Sequence, residues 1–234
     1  MVGENSNHIF IVILFIMPVF LVTYSIYIAL LLGILVGSLM IFRLSKDHAF
    51  YYVLILSVLF SFFSLISVLL FASFEEIIIS HSFHFGSIST YGLYLFCPFL
   101  IYLNFRKKDL RETFDLYSIY VCPSMIFQRI RCIIAGCCYG KTFFNTGYKW
   151  PTRELEIIFY LFTLAFFYKK INSEKHIKGT LFPLLMIMYG VFRFIIEFAR
   201  FGSGLIRLVH LWSIISIIIG YSILVELSNQ KRKI

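Results

Sequence analysis

Long apolar runs set the strongest constraint on this chain. They fall at about residues 20–42, 50–74, 86–105, 114–134, 155–168, 179–199 and 208–227. Most approach or exceed the ~20 residues that a helix needs to cross ~30 Å of hydrocarbon. The fifth is short and spans only with flanking residues or local thinning of the bilayer. A further apolar stretch, 9–19, ends near Pro18 and either lies at the interface or extends the first helix. Composition agrees: 60% of residues are hydrophobic and 14% charged, with a mean hydropathy of +0.88, where a soluble domain carries nearer a quarter charged residues. The expected fold is an all-α integral membrane protein, a seven-transmembrane-helix bundle forming one polytopic domain over residues 1–234. The opening "MVGENSNH" has no Lys or Arg ahead of the apolar run and no small-x-small site follows, so no cleavable signal peptide is expected.

The net charge of +9 does not point to nucleic acid, because the basic residues sort by loop. Thirteen of the twenty-one lie after the first, third and fifth runs and in the tail: Arg43, Lys46, Arg106, Lys107, Lys108, Arg111, Lys169, Lys170, Lys175, Lys178, Lys231, Arg232 and Lys233. The N-terminus and the loop "EEIIISHSFHF" hold none. Short loops rich in Lys and Arg stay cytoplasmic, which places the N-terminus outside and the C-terminus inside. Eight basic residues remain, five in 128–153 (Arg129, Arg131, Lys141, Lys149, Arg153) and three in 193–207 (Arg193, Arg200, Arg207). All belong to the outer half of the bundle, where topology does not require them.

Three of them sit in or beside "YGVFRFIIEFAR", residues 189–200. As a helix, this places Tyr189, Arg193, Glu197 and Arg200 within roughly 80° of one another. An ion near a helix centre costs about 2.5–3.5 kcal/mol, so these groups face protein or water rather than lipid. One Arg–Glu pair suffices to lock two helices. A second Arg and a Tyr on the same face point instead to an anion site, since the guanidinium fork stays charged when desolvated and donates two parallel hydrogen bonds to phosphate.

In "QRIRCIIAGCCYGK", residues 128–141, Arg129 and Arg131 diverge by about 160° on a helix. Arg131 reads as a snorkelling interfacial charge. Gly136 and Gly140 allow either close helix packing or a turn that offers backbone N–H groups to an anion. In "YKWPTRELEIIFY", Tyr148 and Trp150 read as interface anchors and Pro151 opens a helix. Glu154 and Glu156 lie at its positive end, with Glu156 placed to orient an arginine. His81 and His84 have no neighbour that makes them bases, and His210, on the outer side near Trp212, is left open. The five cysteines, 97, 122, 132, 137 and 138, contain no CxxC pair and no metal-ligand spacing, so buried free thiols are expected and no metal.

These residues resemble the bacterial prolipoprotein diacylglyceryl transferase family. "YGVFRFIIEFAR" matches its penultimate helix, and "RIRCIIAGCCYG" is similar to its signature Arg-Ile-Gly-Asn-Phe-x-Asn-Gly-Glu-x-x-Gly, with Arg129, Gly136 and Gly140 retained. "PTRELE" looks like its Pro-Ser-Gln-Leu-Tyr-Glu helix start, with Pro151 and Glu156 retained; Tyr24, Tyr91-Gly92 and Ser213 are fainter matches. The departures include Cys132 and Ala135 for the two Asn, Cys137 for the Glu, and Tyr91-Gly92-Leu93 for a His-Gly-Gly. The resemblance implies seven transmembrane helices in the bacterial cytoplasmic (inner) membrane, no cofactor, and transfer of a diacylglyceryl group from phosphatidylglycerol to the lipobox cysteine of a signal-peptide-bearing prolipoprotein, releasing glycerol phosphate. Carried over, Arg129 binds the phosphodiester and Arg193 stabilises the leaving phosphate or lowers the thiol's pKa. Glu197 orients an arginine, Tyr189 donates a hydrogen bond, Arg200 contacts the headgroup, and Tyr91 replaces the His. Tyr24, Gly136, Gly140 and Glu156 join the substrate-binding set. The competing classes are a non-catalytic binder of anionic lipid, a lipid or solute translocator, and a transferase on the same scaffold with another thiol or lipid. Neither an internal repeat nor paired broken helices supports a translocator.

Overall fold

In the computed structural model, residues 4–44, 48–80, 89–105, 110–142, 147–173, 177–200 and 207–232 are described, without the side chains of 4–23, 80 and 231–232. His81, His84, Lys46, Arg106, Lys107, Lys108, Lys175 and Lys233 lie outside the described residues. The elements are α1 (Glu4–Leu44), α2 (Phe50–Ser80), a π-turn (Gly92–Phe96) running into α3 (Cys97–Phe105), α4 (Leu110–Ile134), α5 (Thr152–Ile171), α6 (Leu181–Ile196) with a 3-10 turn (Glu197–Ala199), and α7 (Leu208–Arg232). Each expected apolar run overlaps one of these helices, the 86–105 run from Gly92 onward with 86–88 outside the described residues, and 9–19 is continuous with α1.

Among the described residues, four segments are long and apolar enough to cross a membrane: Tyr24–Leu44, Phe50–Ile79, Leu181–Ala199 and Leu208–Gln230. Gly92–Phe105 is apolar but shorter. Pro98 lacks an N–H one residue after the π-turn closes, so a regular ladder is interrupted there by sequence. α4 is the least apolar because it is the most enclosed. It packs on α1 and α5, with further contacts to α2, α3 and α6, and an unbroken run from Asp115 to Pro123 is buried. The outer faces of α1, α2 and α7 carry exposed Leu31, Phe62, Ile79, Ile218 and Tyr221, a surface suited to acyl chains. Serines within these helices bond back to the carbonyl four residues earlier, as Ser57 does to Val53 and Ser118 to Phe114.

A plug of aromatic rings fills the centre. Phe60, Tyr94, Tyr117, Tyr160 and Tyr189 have no more than a trace of exposure. Tyr189 stacks on Tyr94 at 4.2 Å between centroids, and Phe60 meets Tyr117 edge-on. Three of the hydroxyls are satisfied internally: Tyr94 and Tyr160 share a 2.9 Å hydrogen bond and Tyr117 donates to the Leu93 carbonyl.

At the end of α4 remote from Arg129, the Asp115 carboxylate accepts the N–H groups of Gly179 (2.7 Å) and Leu181 (2.8 Å). These are orphan donors at the start of α6. Nearby, Glu112 accepts from Lys178 at 2.9 Å and pairs with His48 at 2.9 Å, joining α4 to the chain segments on either side.

Asp115→Ala leaves two buried N–H groups without an acceptor, at about 1–3 kcal/mol each. The expected result is a lower thermal-unfolding midpoint in detergent, measured against the parent chain. The hydrogen bond from Lys178, aided by His48 and opposed by burial, holds the Glu112 carboxyl below its ordinary value. A depressed folded-state pKa gives a contribution present above the unfolded value of about 4.3 and lost as pH falls through the folded value. The midpoint difference between the parent and Glu112→Gln is therefore expected at neutral pH and to close on acidification.

Candidate functional site

α6 presents Tyr189, Arg193 and Glu197 along one face, as their spacing of four predicts. The helix expected through residue 200 stops earlier: Glu197–Ala199 tightens to 3-10 geometry and Arg200 is extended, at φ −80° and ψ 151°. Arg200 leaves the helix because its backbone forms an antiparallel bridge with Gly140, the Lys141 N–H donating to the Ala199 carbonyl at 2.8 Å. Its side chain still returns to the group.

The centre of that group is Glu156, on the first turns of α5 and fully buried. Its Oε1 accepts from Arg193 Nη1 at 3.1 Å and from Arg200 Nη1 at 2.9 Å, and its Oε2 pairs with Arg129 Nε. Glu197, 3% exposed, pairs with Arg193 Nη2 at 3.1 Å and Arg207 Nη1 at 2.7 Å, with Arg200 Nε at 3.9 Å. Arg207 also donates to the Arg200 carbonyl. Four guanidinium groups thus share two carboxylates, leaving two positive charges in excess. Burying ions is tolerable only with such pairing, and an unbalanced set is a ready anion site.

A cavity of about 500 Å³ opens against this group. Arg129, Arg193 and Arg200 line one part of it, with Arg131 and Glu75 contributing offsetting charges. Ile26, Leu30, Leu65, Val68, Val121 and Met125 line the rest. Tyr120, also on the wall, lies nine residues down α4 from Arg129, about 13 Å. The hollow therefore offers charge at one end and hydrocarbon along its length.

The remaining candidates divide. Tyr91 lines the hollow and shares a 2.5 Å hydrogen bond with Ser213 of α7, so the two fainter matches belong together. Tyr189 is fully buried in the aromatic plug, stacked on Tyr94 and Tyr160 beneath the arginines, and is not part of the cavity wall. Tyr24 sits on α1 at 46% exposure, beside Tyr27 and away from the hollow. Gly136 and Gly140 do not offer N–H groups to an anion. Gly136 takes φ +64° to close α4, its N–H bonded to the Ile133 carbonyl. The Gly140 N–H donates to Trp150, and a Cβ there would lie 2.4 Å from Trp150 Cβ and 2.7 Å from the Ala199 carbonyl. Gly140 is needed for that close approach.

Sequence reasoning missed the role of Arg153. Its Nη1 donates to the carbonyls of Cys132 (3.2 Å) and Cys137 (3.3 Å), and its guanidinium lies over the Tyr139 ring at 3.9 Å. The Cys132 carbonyl, in the last turn of α4, also accepts the Cys137 N–H at 3.1 Å, so Arg153 reinforces a turn the backbone already closes. The available signal was a cation in the first turn of α5, a position the helix dipole disfavours unless other acceptors hold it. Arg207 and Glu75 were likewise not assigned to the site. The turn closed by Arg153 also gathers Cys132, Cys137 and Cys138, whose Sγ atoms all lie within 4.8 Å of one another. Hydrogen bonding from Cys132 holds the Cys138 thiol well below its ordinary value, to about 5; Cys137, Arg200 and Arg129 act in the same direction, against burial.

Glu156→Gln removes the carboxylate shared by three arginines. Breaking a buried ionic group costs about 3–5 kcal/mol, so the thermal midpoint is expected to fall further than in Glu154→Gln, whose carboxylate is 40% exposed.

The comparisons with known proteins agree with this geometry. A family model described as prolipoprotein diacylglyceryl transferase matches residues 11–226. A phosphatidylglycerol–prolipoprotein diacylglyceryl transferase of Clostridium tetani is 35% identical over 126 residues, 47% of this chain and 50% of that protein. One from Ehrlichia ruminantium is 33% identical over 134 residues, 49% of this chain and 51% of that protein. The chain thus spans about half the length of the curated relatives it matches. With the match to the family model covering nearly its whole length, the chain belongs to the prolipoprotein diacylglyceryl transferase family.

Proposed function

We propose that the protein transfers a diacylglyceryl group from phosphatidylglycerol to the thiol of a lipobox cysteine in an exported prolipoprotein. The supporting observation is the single hollow that joins three arginines to an aliphatic wall, a match to an anionic headgroup with acyl chains attached. The thiolate sulfur forms a bond to the glyceryl carbon and the carbon–oxygen bond to phosphate breaks. The electron pair stays on the phosphate oxygen, glycerol phosphate leaves, and the thiol proton is released. The nucleophile comes from the second substrate, so the enzyme needs none of its own.

Arg129 holds the phosphodiester and Arg193 faces the charge that builds on the departing oxygen, where a fixed donor in a dry site acts most strongly. Glu156 and Glu197 hold the arginine planes, and Arg200 meets the headgroup. Tyr91, paired with Ser213, is a phenol and a poor base at neutral pH; hydrogen bonding to substrate is its role here. Tyr189 acts through the plug that supports Arg193. All seven helices cross the bacterial cytoplasmic membrane, with the N-terminus outside, which puts the arginines on the side where the signal-peptide cysteine emerges.

The test supplies the purified chain with labelled phosphatidylglycerol and a lipobox peptide and measures thioether-linked diacylglyceryl product. Arg129→Lys and Arg193→Ala are each expected to reduce transfer by at least about 100-fold, the scale of losing one positioned donor. Full activity in Arg129→Lys removes its assignment. No product with any anionic phospholipid favours a lipid-binding protein that performs no transfer.

A further inference from the structure

Cys132 lies in the last turn of α4 and Cys137 and Cys138 follow the Gly136 turn, and all three line the hollow that holds the arginines. Three thiol sulfurs within 4.8 Å approach the spacing that one tetrahedral Zn²⁺ imposes, about 3.8 Å between ligands for Zn–S bonds of about 2.3 Å. The spacing i, i+5, i+6 escapes the usual ligand patterns because a helix end and a left-handed glycine, rather than a CxxC loop, bring the groups together.

We propose that Cys132, Cys137 and Cys138 bind one Zn²⁺ through three thiolates, leaving a fourth coordination position that faces the hollow and takes the incoming thiol as a thiolate. The inference that the metal activates a substrate thiol rests on the transfer reading above; the inference that it binds does not. Three observations beyond proximity support the site. First, its surroundings suit its charge: three thiolates on one Zn²⁺ carry a single negative charge beside a group with two positive charges in excess. Second, the ligands are held from behind. Arg153 grips the carbonyls of Cys132 and Cys137, and Thr152 donates to the Cys138 carbonyl at 3.1 Å. Outer contacts of this kind fix ligand orientation and raise metal affinity. Third, the thiols are graded from buried Cys132 to exposed Cys138, as a site open to a fourth ligand requires.

The chemistry addresses a gap in the pocket. Tyr91 is no base, yet the attacking sulfur must lose its proton. A thiol that coordinates Zn²⁺ is deprotonated outright, the proton passing to water, and the bound sulfur keeps a lone pair for attack. The sulfur then bonds to the glyceryl carbon as the phosphate oxygen leaves with the bonding pair. The neutral thioether that results is a weak ligand and dissociates, and the metal's charge and oxidation state are unchanged.

The test begins without lipid or peptide. The full chain, purified under reducing conditions and given Zn²⁺ and then freed of excess, is expected to retain about one equivalent by elemental analysis. Co²⁺ in its place is expected to give a thiolate-to-cobalt charge-transfer band. Cys138→Ser, at an exposed position, and Cys137→Ser are each expected to lose at least about tenfold in Zn²⁺ affinity with the parent's thermal midpoint before metal addition. Retention of no Zn²⁺ by reduced protein, or a Co²⁺ spectrum without the band, overturns the site. With lipid and peptide added, stripping the metal is expected to abolish transfer and Zn²⁺ to restore it, while Arg129→Lys keeps its metal and does not transfer. Unchanged transfer by metal-free protein overturns activation and leaves the transferase reading intact. A Zn²⁺-loaded chain that moves no lipid keeps the metal site and removes the transferase reading.

Discussion

A buried carboxylate with three arginines on it organises one end of this molecule. Glu156 lies on α5, yet its partners come from α4, from α6 and from the extended residue beyond α6. Without it, those guanidinium groups would repel one another in a place with little water to screen them. With it, they are held in fixed planes and still carry uncompensated charge. Glu197 extends the arrangement to Arg207, at the start of the segment leading into α7. Helix contacts in a bilayer gain little from apolar packing alone, so these ionic ties fix the mutual position of α4, α5 and α6 at one end while Asp115 ties α4 to α6 at the other.

The helices were legible because lipid forces a long apolar run to satisfy its own backbone. Each run overlaps a helix, and α1 absorbs the 9–19 stretch. The cluster on α6 was legible for a related reason: ions in an apolar helix must face one another, and a spacing of four fixes which do. What failed was everything that depends on a chain reversal. Arg200 was read as the next turn of the helix, but a backbone bridge to Gly140 pulls it out. Gly136 and Gly140 were left between packing and anion binding, and their N–H groups prove to be engaged by Ile133 and Trp150. Glu156 stood among the residues that start a helix, and only the approach of α4 and α6 makes it central.

The departures from the family's signature also read differently in three dimensions. Cys132 and Cys137, at the signature's Asn and Glu, do not scatter through an apolar core. They meet Cys138 at the wall of the hollow, where sequence suggested buried free thiols; Cys138 is in fact exposed and Cys137 half-buried. Substituting polar groups by sulfur at adjoining positions of one wall is a change of chemistry in place rather than a loss of the site. Arg153 binds the carbonyls behind two of those sulfurs, so the turn is anchored by α5 independently of whatever occupies the hollow.

The aromatic plug has an electrical consequence. Phe60, Tyr94, Tyr117, Tyr160 and Tyr189 close the bundle beneath the arginines as a buried, closely stacked set of rings, with Tyr94 and Tyr160 bonded to each other and Tyr117 to the Leu93 carbonyl. A membrane voltage falls mainly across material that excludes water and ions, and moving one charge through it is worth about 2.3 kcal/mol per 100 mV. On the proposed orientation that drop lies in the plug, and the hollow above it stays near the potential of the outer solution. Charge can then rearrange among the guanidinium groups without working against the cell's transmembrane field, whether the membrane is energised or not.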